Sequence, residues 1–327
     1  MNQILEGVAM SSAVSRRRFL TNTSAVAVAG SLAVAEGTRV AAADGVAHKP
    51  KFSLNTATIR EQKVGIVREI EIAREAGYDA LEPWMDALHR YVEEGGSLPD
   101  LKKRIQDAGL IIPSAIGFAQ WIVDDESARK QGLENAKRDM DLVAKIGGLR
   151  IAAPPVGAHD KPGPDLATAG QRYRALLELG DQIGVVPQCE VWGFSKTLSR
   201  LSETAYVVIE ANHPKACLLP DVYHLHKGGS GFEGVKVLSG AGVHVFHMND
   251  YPAQPGPKEI NDSHRVFPGD GVAPLGPILR DLYAAGFSGV LSLELFNREY
   301  WKQDPLLVAK TGLKKMQEVV AQALKPA

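Results

Sequence analysis

The sequence predicts an α/β protein built as a single closed (β/α)8, or TIM, barrel, and three observations carry that prediction. Short apolar runs alternate with longer segments of helical period from Lys51 to the C-terminus. The alternation repeats without a shift in composition that would mark a second domain. The first strand candidate is followed by "REQKVG", not by the glycine-rich phosphate turn of an open doubly wound sheet. Strict alternation of strand and helix requires parallel strands, and eight pairs over about 280 residues match the closed cylinder.

In chain order the strand candidates are "FSLNTATI", "ALEPWM", "IIPSAIGF", "LRIAAPP", "VVPQCEVW", "ACLLPDVY", "VHVFHMND" and "GVLSLELF". Between them "VGIVREIEIAREAG", "LPDLKKRIQDAGL", "ESARKQGLENAKRDMDLVAKIGG", "AGQRYRALLELGDQIG" and "GPILRDLYAAGF" have helical spacing, and several end in glycine, as a helix C-terminus does. The segment "DPLLVAKTGLKKMQEVVAQAL" supplies the helix after the last strand. The longest interruption, "YPAQPGPKEINDSHRVFPGDGVAP", follows the seventh strand and is rich in Pro, Gly and Asp. A loop of that length in a barrel is expected to cover part of the site.

At 327 residues, with 45% hydrophobic and 23% charged content, the chain can bury a large core. Lysine and arginine number 37 against 38 acidic residues, so no basic field exists to hold a phosphate backbone, and nucleic acid is not expected as a partner. Cys189 and Cys217 lack metal-ligand spacing and cannot form a disulfide scaffold; buried free thiols are expected, with one bridge left open. The N-terminus differs in kind. "SRRRFL", Ser15 to Leu20, precedes an alanine- and valine-rich run ending in Ala41-Ala42-Ala43, which reads as an export signal over residues 1–43, with the catalytic domain over 44–327. The arginine pattern resembles the twin-arginine signal, implying a periplasmic protein folded, with any cofactor, before export. Thr21, Asn22, Thr23 and Ser24 make the run too weakly apolar for a membrane span, so no stable insertion is expected after cleavage.

Active sites of such barrels lie where the strands end. Four consecutive strands, the fifth to the eighth, end in Glu190, Asp221, His247 and Glu294. Taken singly, each carboxylate could cap a helix and the histidine could bond a carbonyl. Four such accidents on four neighbouring strands are less economical than one shared cation. Without a cation the acids would repel one another in a poorly solvated site. Oxygen-dominated ligation with one imidazole suits Mn²⁺ first, with Mg²⁺, Co²⁺ and Zn²⁺ as alternatives. Strand parity turns Val245 and Asn249 inward with His247, and His244 and Phe246 outward. The same parity puts Gln188 beside Glu190 and Ser292 beside Glu294. Glu82 at the end of the second strand is a candidate for substrate hydroxyls or a second ion. Trp84, Trp121 and Trp192 could stack on a sugar ring, or simply fill the core. His226 and Asp270 are further polar candidates near strand ends.

These residues resemble the xylose isomerase-like sugar isomerase/epimerase superfamily, whose ketose 3-epimerase and inosose-processing branches use a Glu, Asp, His, Glu metal set. In "DVYH", Asp221 matches the metal aspartate and His224 the histidine that contacts substrate oxygens; "HMND" matches the His-x-x-Asp pattern. The resemblance implies that Glu190 and Glu294 are both ligands and the acid/base pair. The turn "PGDG", Pro268 to Gly271, also matches. Two positions depart from the pattern: Lys196 stands where a second glutamate is expected, and Ala253 where an arginine is expected, so Lys196 and Arg265 become the substrate-contacting candidates. The implied activity is isomerisation or epimerisation of a ketose, inosose or keto-sugar by proton abstraction next to a carbonyl, through a cis-enediolate. Elimination from the same carbanion, as a dehydratase or 3-keto-glycoside lyase, is the alternative, and a non-catalytic periplasmic sugar-binding protein is the rival from another class. The expected partner is a sugar or cyclitol, with a homo-oligomer left open.

Overall fold

Seven of the eight apolar runs form parallel strands in a computed structural model that describes residues 49–325. They are β1 (Lys51–Asn55), β2 (Ala80–Glu82), β3 (Arg150–Ala153), β4 (Val186–Glu190), β5 (Leu218–Leu219), β6 (Val245–Met248) and β7 (Val290–Leu293). The arginine motif, apolar run and cleavage site of the expected export signal lie outside the described residues.

The strands pair in two sets, β2-β1-β7-β6 and β3-β4-β5. The run "IIPSAIGF", expected as the third strand, is not a regular ladder. Pro113 has no N–H to donate, so pairing survives only at its flanks. Ile111 bridges to Ala80 and Ile116 to Trp84 on one side, while Ala115 N–H donates to Arg150 O (3.1 Å) and Ala152 N–H to Ala115 O (2.8 Å) on the other. Pro220 cuts β5 short in the same way. Bridges from Leu218 to Val243 and from Asp221 to His247 nevertheless join β5 to β6. With both seams bridged, eight staves close into the expected barrel.

The helices are α1 (Ile66–Ala76), α2 (Met85–Glu93), α3 (Leu98–Asp107), α4 (Glu126–Lys145), α5 (Leu166–Ile183), α6 (Leu201–Glu210), α7 (Val222–Lys227), α8 (Leu275–Ala284) and α9 (Pro305–Ala323). Local chemistry sets their ends. Ser97, Asp125, Asp165 and Asp304 each accept a hydrogen bond from a backbone N–H in the first turn. Gly77 and Gly184 close α1 and α5 at positive φ. The second strand is followed by two helices, α2 and α3, where one was expected. Among the described residues no helix is long and apolar enough to cross a membrane.

Alternation along the strands separates two apolar layers. Phe52, Leu54, Leu81, Ile151, Cys189, Phe246, Leu291 and Leu293 face the helices in the main core. Inside the barrel a small cluster, Ile116, Ala152, Leu219 and Val245, fills the axis. Polar residues one step toward the strand ends lie directly above this plug. The parity expected for His247, Gln188 and Ser292 therefore holds. Cys189 and Cys217 are both buried and free, so the open disulfide is absent.

Candidate metal centre

Asp221 follows β5 and serves as the N-cap of α7. Its Oδ1 accepts from His224 N–H (2.8 Å), which leaves Oδ2 directed at the barrel axis. There Oδ2 accepts from Asn249 Nδ2 (3.0 Å) and Arg265 Nη1 (2.8 Å). Capping and clustering thus coexist in one carboxylate. Glu294, just past β7, accepts from Asn55 Nδ2 at Oε1 (3.2 Å) and from Arg265 Nη1 at Oε2 (3.0 Å).

His247 is fully buried and oriented from behind. Its Nε2 donates to Glu82 Oε2 (3.1 Å), which turns Nδ1 toward Glu294 Oε2 (3.2 Å) and Asp221 Oδ2 (3.7 Å). Glu82 Oε2 also accepts from Asn55 Nδ2 (3.0 Å) and Ser292 Oγ (2.6 Å). A ligating histidine characteristically gives its far N–H to a carboxylate in this way, which sets the ring's angle and raises its basicity.

One atom each from Asp221, His247 and Glu294 lie within 4.8 Å of one another, and all three residues are buried. Glu190, the fourth expected ligand, is not in that group, but it lines the same cavity as Glu294, and its Oε2 is buried without a hydrogen-bond partner. His247 Nδ1 is likewise buried and unpartnered, because its contact with Glu294 lacks hydrogen-bond geometry. A buried polar atom without a partner is costly, and Glu190 Oε2 and His247 Nδ1, both beside clustered carboxylates, fit a divalent cation that takes the place of the imidazolium proton. Arg265, fully buried, contributes positive charge to the same carboxylates.

The electrostatics separate the two glutamates. Burial raises Glu190, and Glu294 and Asp221 raise it further against the pull of His247, so its carboxyl stands well above the usual range. Glu294 is also buried, yet His247 and Arg265 hold it below its ordinary value. Burial would lower His247, but Glu294 and Glu82 hold its proton well above the usual imidazole range. Burial pulls His224 down to about 3, against Asp221 and with help from Arg265. His224 is thus a neutral imidazole whose Nε2 accepts from Arg265 Nη2 (3.2 Å).

Above the cluster is a cavity of about 190 Å³. Its rim is aromatic: Trp84 contacts Phe118 (ring centroids 5.0 Å apart) and Phe296 (5.7 Å), Trp192 contacts Phe118 (6.2 Å) and Phe194 (5.0 Å). Glu190, His224, Asp262, Arg265 and Glu294 supply polar atoms. Asp262 and Arg265 come from the long loop after β6, which covers part of the site as expected. Asp250 pins that loop by accepting from the N–H groups of Tyr251, Gly269, Gly271 and Ala273. That gives the aspartate of "HMND" a structural task and organises the "PGDG" turn.

Of the substrate-contacting candidates, His224, Trp192 and Arg265 line the cavity. Arg265 reaches the cavity from the loop. Three others lie outside that lining. Glu82 is fully buried among the donors of Asn55, Ser292 and His247, so it orients the His247 ring from behind. Trp121 is fully buried, with its indole N–H donating to the carbonyls of Ala153 (3.2 Å) and Pro154 (2.9 Å). A buried N–H must be paired, and the end of β3 pairs it away from the cavity. Lys196 is exposed and outside the lining. His226 stacks on Tyr251 and Asp270 pairs with Lys315; neither lines the cavity. Asn55, which bridges Glu82, Glu294 and the Trp84 indole N–H, is not among the sequence candidates, because the apolar run "FSLNTATI" continues past it while the strand itself ends there.

The profile of the family described as "Xylose isomerase-like TIM barrel" matches residues 70–319. Inosose isomerase of Bacillus licheniformis is 27% identical over 280 residues, covering 84% of this chain and 99% of that protein. The 3-dehydroshikimate dehydratase of Pseudomonas aeruginosa is 26% identical over 234 residues, 70% of this chain but 36% of that longer protein. A crystal structure of the IolI protein with a bound zinc atom superposes with a TM-score of 0.78 at 24% identity, covering 84% of this chain and all of that one.

Proposed function

Because the chain belongs to the xylose isomerase-like TIM barrel family and is an enzyme of its sugar isomerase/epimerase type, we propose that it moves a proton beside the carbonyl of an uncharged ketose, inosose or keto-sugar. The observation that carries this reading is the convergence of Asp221, His247 and Glu294 beneath a cavity that Glu190 also lines. Asp221, His247 Nδ1 and Glu294 would hold a divalent cation, with Glu190 as a further oxygen donor. The oxygen-rich set makes manganese the first choice. Such a cation polarises a carbonyl and stabilises charge developing on its oxygen.

The chain's own residues divide the proton work. Glu294, paired with the Arg265 guanidinium, takes the proton from carbon, and Glu190, on the same cavity, returns one from its carboxyl. Neutral His224 lines the cavity and offers its Nδ1, buried and unpartnered, to a substrate oxygen. The aromatic rim excludes water and packs against a ring's C–H face. Return of the proton on the opposite face gives epimerisation, and return at the neighbouring carbon gives isomerisation. Similarity to a dehydratase favours a second reading, in which the carbanion expels a β-leaving group and Glu190 protonates it.

Purified protein is assayed for bound metal, then incubated in D₂O with a panel of ketoses, inososes and 3-keto-glycosides. Metal-dependent deuterium at the carbon beside the carbonyl is expected; loss of a β-substituent would select the lyase reading. Unchanged turnover in metal-replete Glu190→Gln and Glu294→Gln proteins would sink the acid/base assignment. Twin-arginine export to the periplasm is also proposed, resting on "SRRRFL". Replacing Arg16 and Arg17 by lysine should retain the protein in the cytoplasm, as read by cell fractionation.

A further inference from the structure

A second cavity, of about 570 Å³, opens beside the first on the same end of the barrel. The segment after β1 and the residues around the start of α2 form its walls, and Trp84 lines both cavities. Trp84 is fixed between them. Its indole N–H donates to Asn55 Oδ1 (2.9 Å), Asn55 bonds Glu294, and the Arg60 guanidinium lies 4.1 Å from the indole centroid.

Glu69 belongs to this cavity and is 5% exposed, with its Oε2 lacking any hydrogen-bond partner. A buried carboxyl without a partner is costly, and nothing in the catalytic cluster uses this one. Around it stand Arg60, Lys63 and Arg90 against Glu61, Asp86 and Glu94, three basic and three acidic side chains. Asp86 draws in Arg60 (3.2 Å) and Arg90 (4.0 Å), so the guanidinium charges are balanced locally. Burial, with Asp86, pushes Glu69 up to about 7, against Arg60 and Arg90. With Glu69 the lining holds four acidic and three basic side chains, which disfavours an anion, and the ion pairs that Asp86 makes with Arg60 and Arg90 leave little free charge for a cation. Paired donors and acceptors beside the Trp84 and Tyr91 rings suit vicinal hydroxyls on a ring with apolar C–H faces.

We propose that this cavity is a second carbohydrate subsite that takes an uncharged sugar ring next to the one that reacts. The choice of ligand class rests on the carbohydrate reading of the catalytic cavity; the site itself rests on Glu69 and the shared Trp84 wall. It makes the expected substrate larger than a single ring, a glycoside or disaccharide.

Cellobiose serves as the probe and is titrated into the full chain after chelator treatment, with saturation-transfer NMR and tryptophan fluorescence as readouts. Binding that survives chelation is expected, because no residue of this cavity belongs to the metal cluster. Glu69→Ala and the exposed Arg90→Ala should each weaken it by about tenfold, the effect of losing one hydrogen bond to a buried or charged group. Arg90→Ala guards against a Glu69 variant that folds poorly. No saturation transfer, affinity unchanged within about twofold in both variants, or displacement of cellobiose by inorganic phosphate would each overturn the subsite. The failures are separable: variant-sensitive binding without deuterium exchange removes the proposed reaction alone, and exchange without binding removes the subsite alone.

Discussion

Glu82→Gln tests how the imidazole is held. One oxygen, Glu82 Oε2, accepts from His247 Nε2 (3.1 Å), Asn55 Nδ2 (3.0 Å) and Ser292 Oγ (2.6 Å), while Oε1 is buried and unpartnered. A glutamine with its carbonyl oxygen in the Oε2 position keeps all three donors paired, loses the charge and puts an amide NH2 at the buried Oε1 position. Alanine would strand three buried donors at about 1–3 kcal/mol each and confuse folding with function. Loss of a carboxylate behind a ligating histidine weakens metal binding by about 10- to 100-fold, or about 1.4–2.7 kcal/mol. One effect opposes this. Glu82 also stabilises the imidazolium, whose proton must leave before Nδ1 can coordinate, so the penalty should grow from neutral to alkaline pH. The assay is competition for Mn²⁺ against a chelator of known affinity at two pH values, with thermal unfolding in chelator as the folding control. Ser292→Ala, which removes the 2.6 Å donor, should show a smaller loss. If Glu82→Gln binds Mn²⁺ within about twofold of the parent at alkaline pH, the orienting role is wrong.

Asp250→Ala removes the acceptor of four backbone N–H groups that pin the loop bearing Arg265; a stability loss of about 3–5 kcal/mol is expected by denaturant unfolding, and a loss under about 1 kcal/mol would refute that role. Glu69 gives a pH signature. Its carboxyl is pushed up to about 7 in the fold against 4.5 for an ordinary glutamate, so the native state binds the proton more tightly. Stability is therefore highest below pH 4.5 for this group and falls as pH rises toward 7. Glu69→Gln should remove that slope and gain about 3 kcal/mol at higher pH, read by chemical unfolding across the window; an unchanged slope would contradict the burial account. Trp121→Phe should cost about 1–3 kcal/mol of stability through the orphaned Ala153 and Pro154 carbonyls, with metal and sugar binding unaltered. Lost binding at normal stability would return Trp121 to the site.

Periodicity alone makes the barrel readable in the sequence. Alternating strands and helices leave few topologies, and parity alone turned Gln188, His247 and Ser292 inward. Three of the four strand ends, at Asp221, His247 and Glu294, come together because a closed cylinder brings equivalent strand positions to one rim, and the fourth, Glu190, lines the cavity with Glu294. Pro113 and Pro220, which interrupt two staves, were visible as residues, yet their effect depended on which neighbours could still pair across the gap.

Partnership among the buried polar groups was decided only by the tertiary structure. Glu82 and Glu294 are both glutamates just at or past a strand end, and nothing local distinguishes them. Glu82 backs His247 because His247 and Ser292 bring it donors from β6 and β7, and Glu294 faces the cavity where Arg265 reaches it from the loop. Arg265 reaches Asp221 and Glu294 through a loop folded onto Asp250, a path no spacing rule contains. Trp84 and Trp121 read alike, yet one walls two cavities while the other spends its N–H on β3. Local pattern sets which face a side chain takes, since that follows from backbone geometry within a few residues. Which groups satisfy each other's hydrogen bonds and charges depends on distances between remote segments, and those exist only once the cylinder has closed.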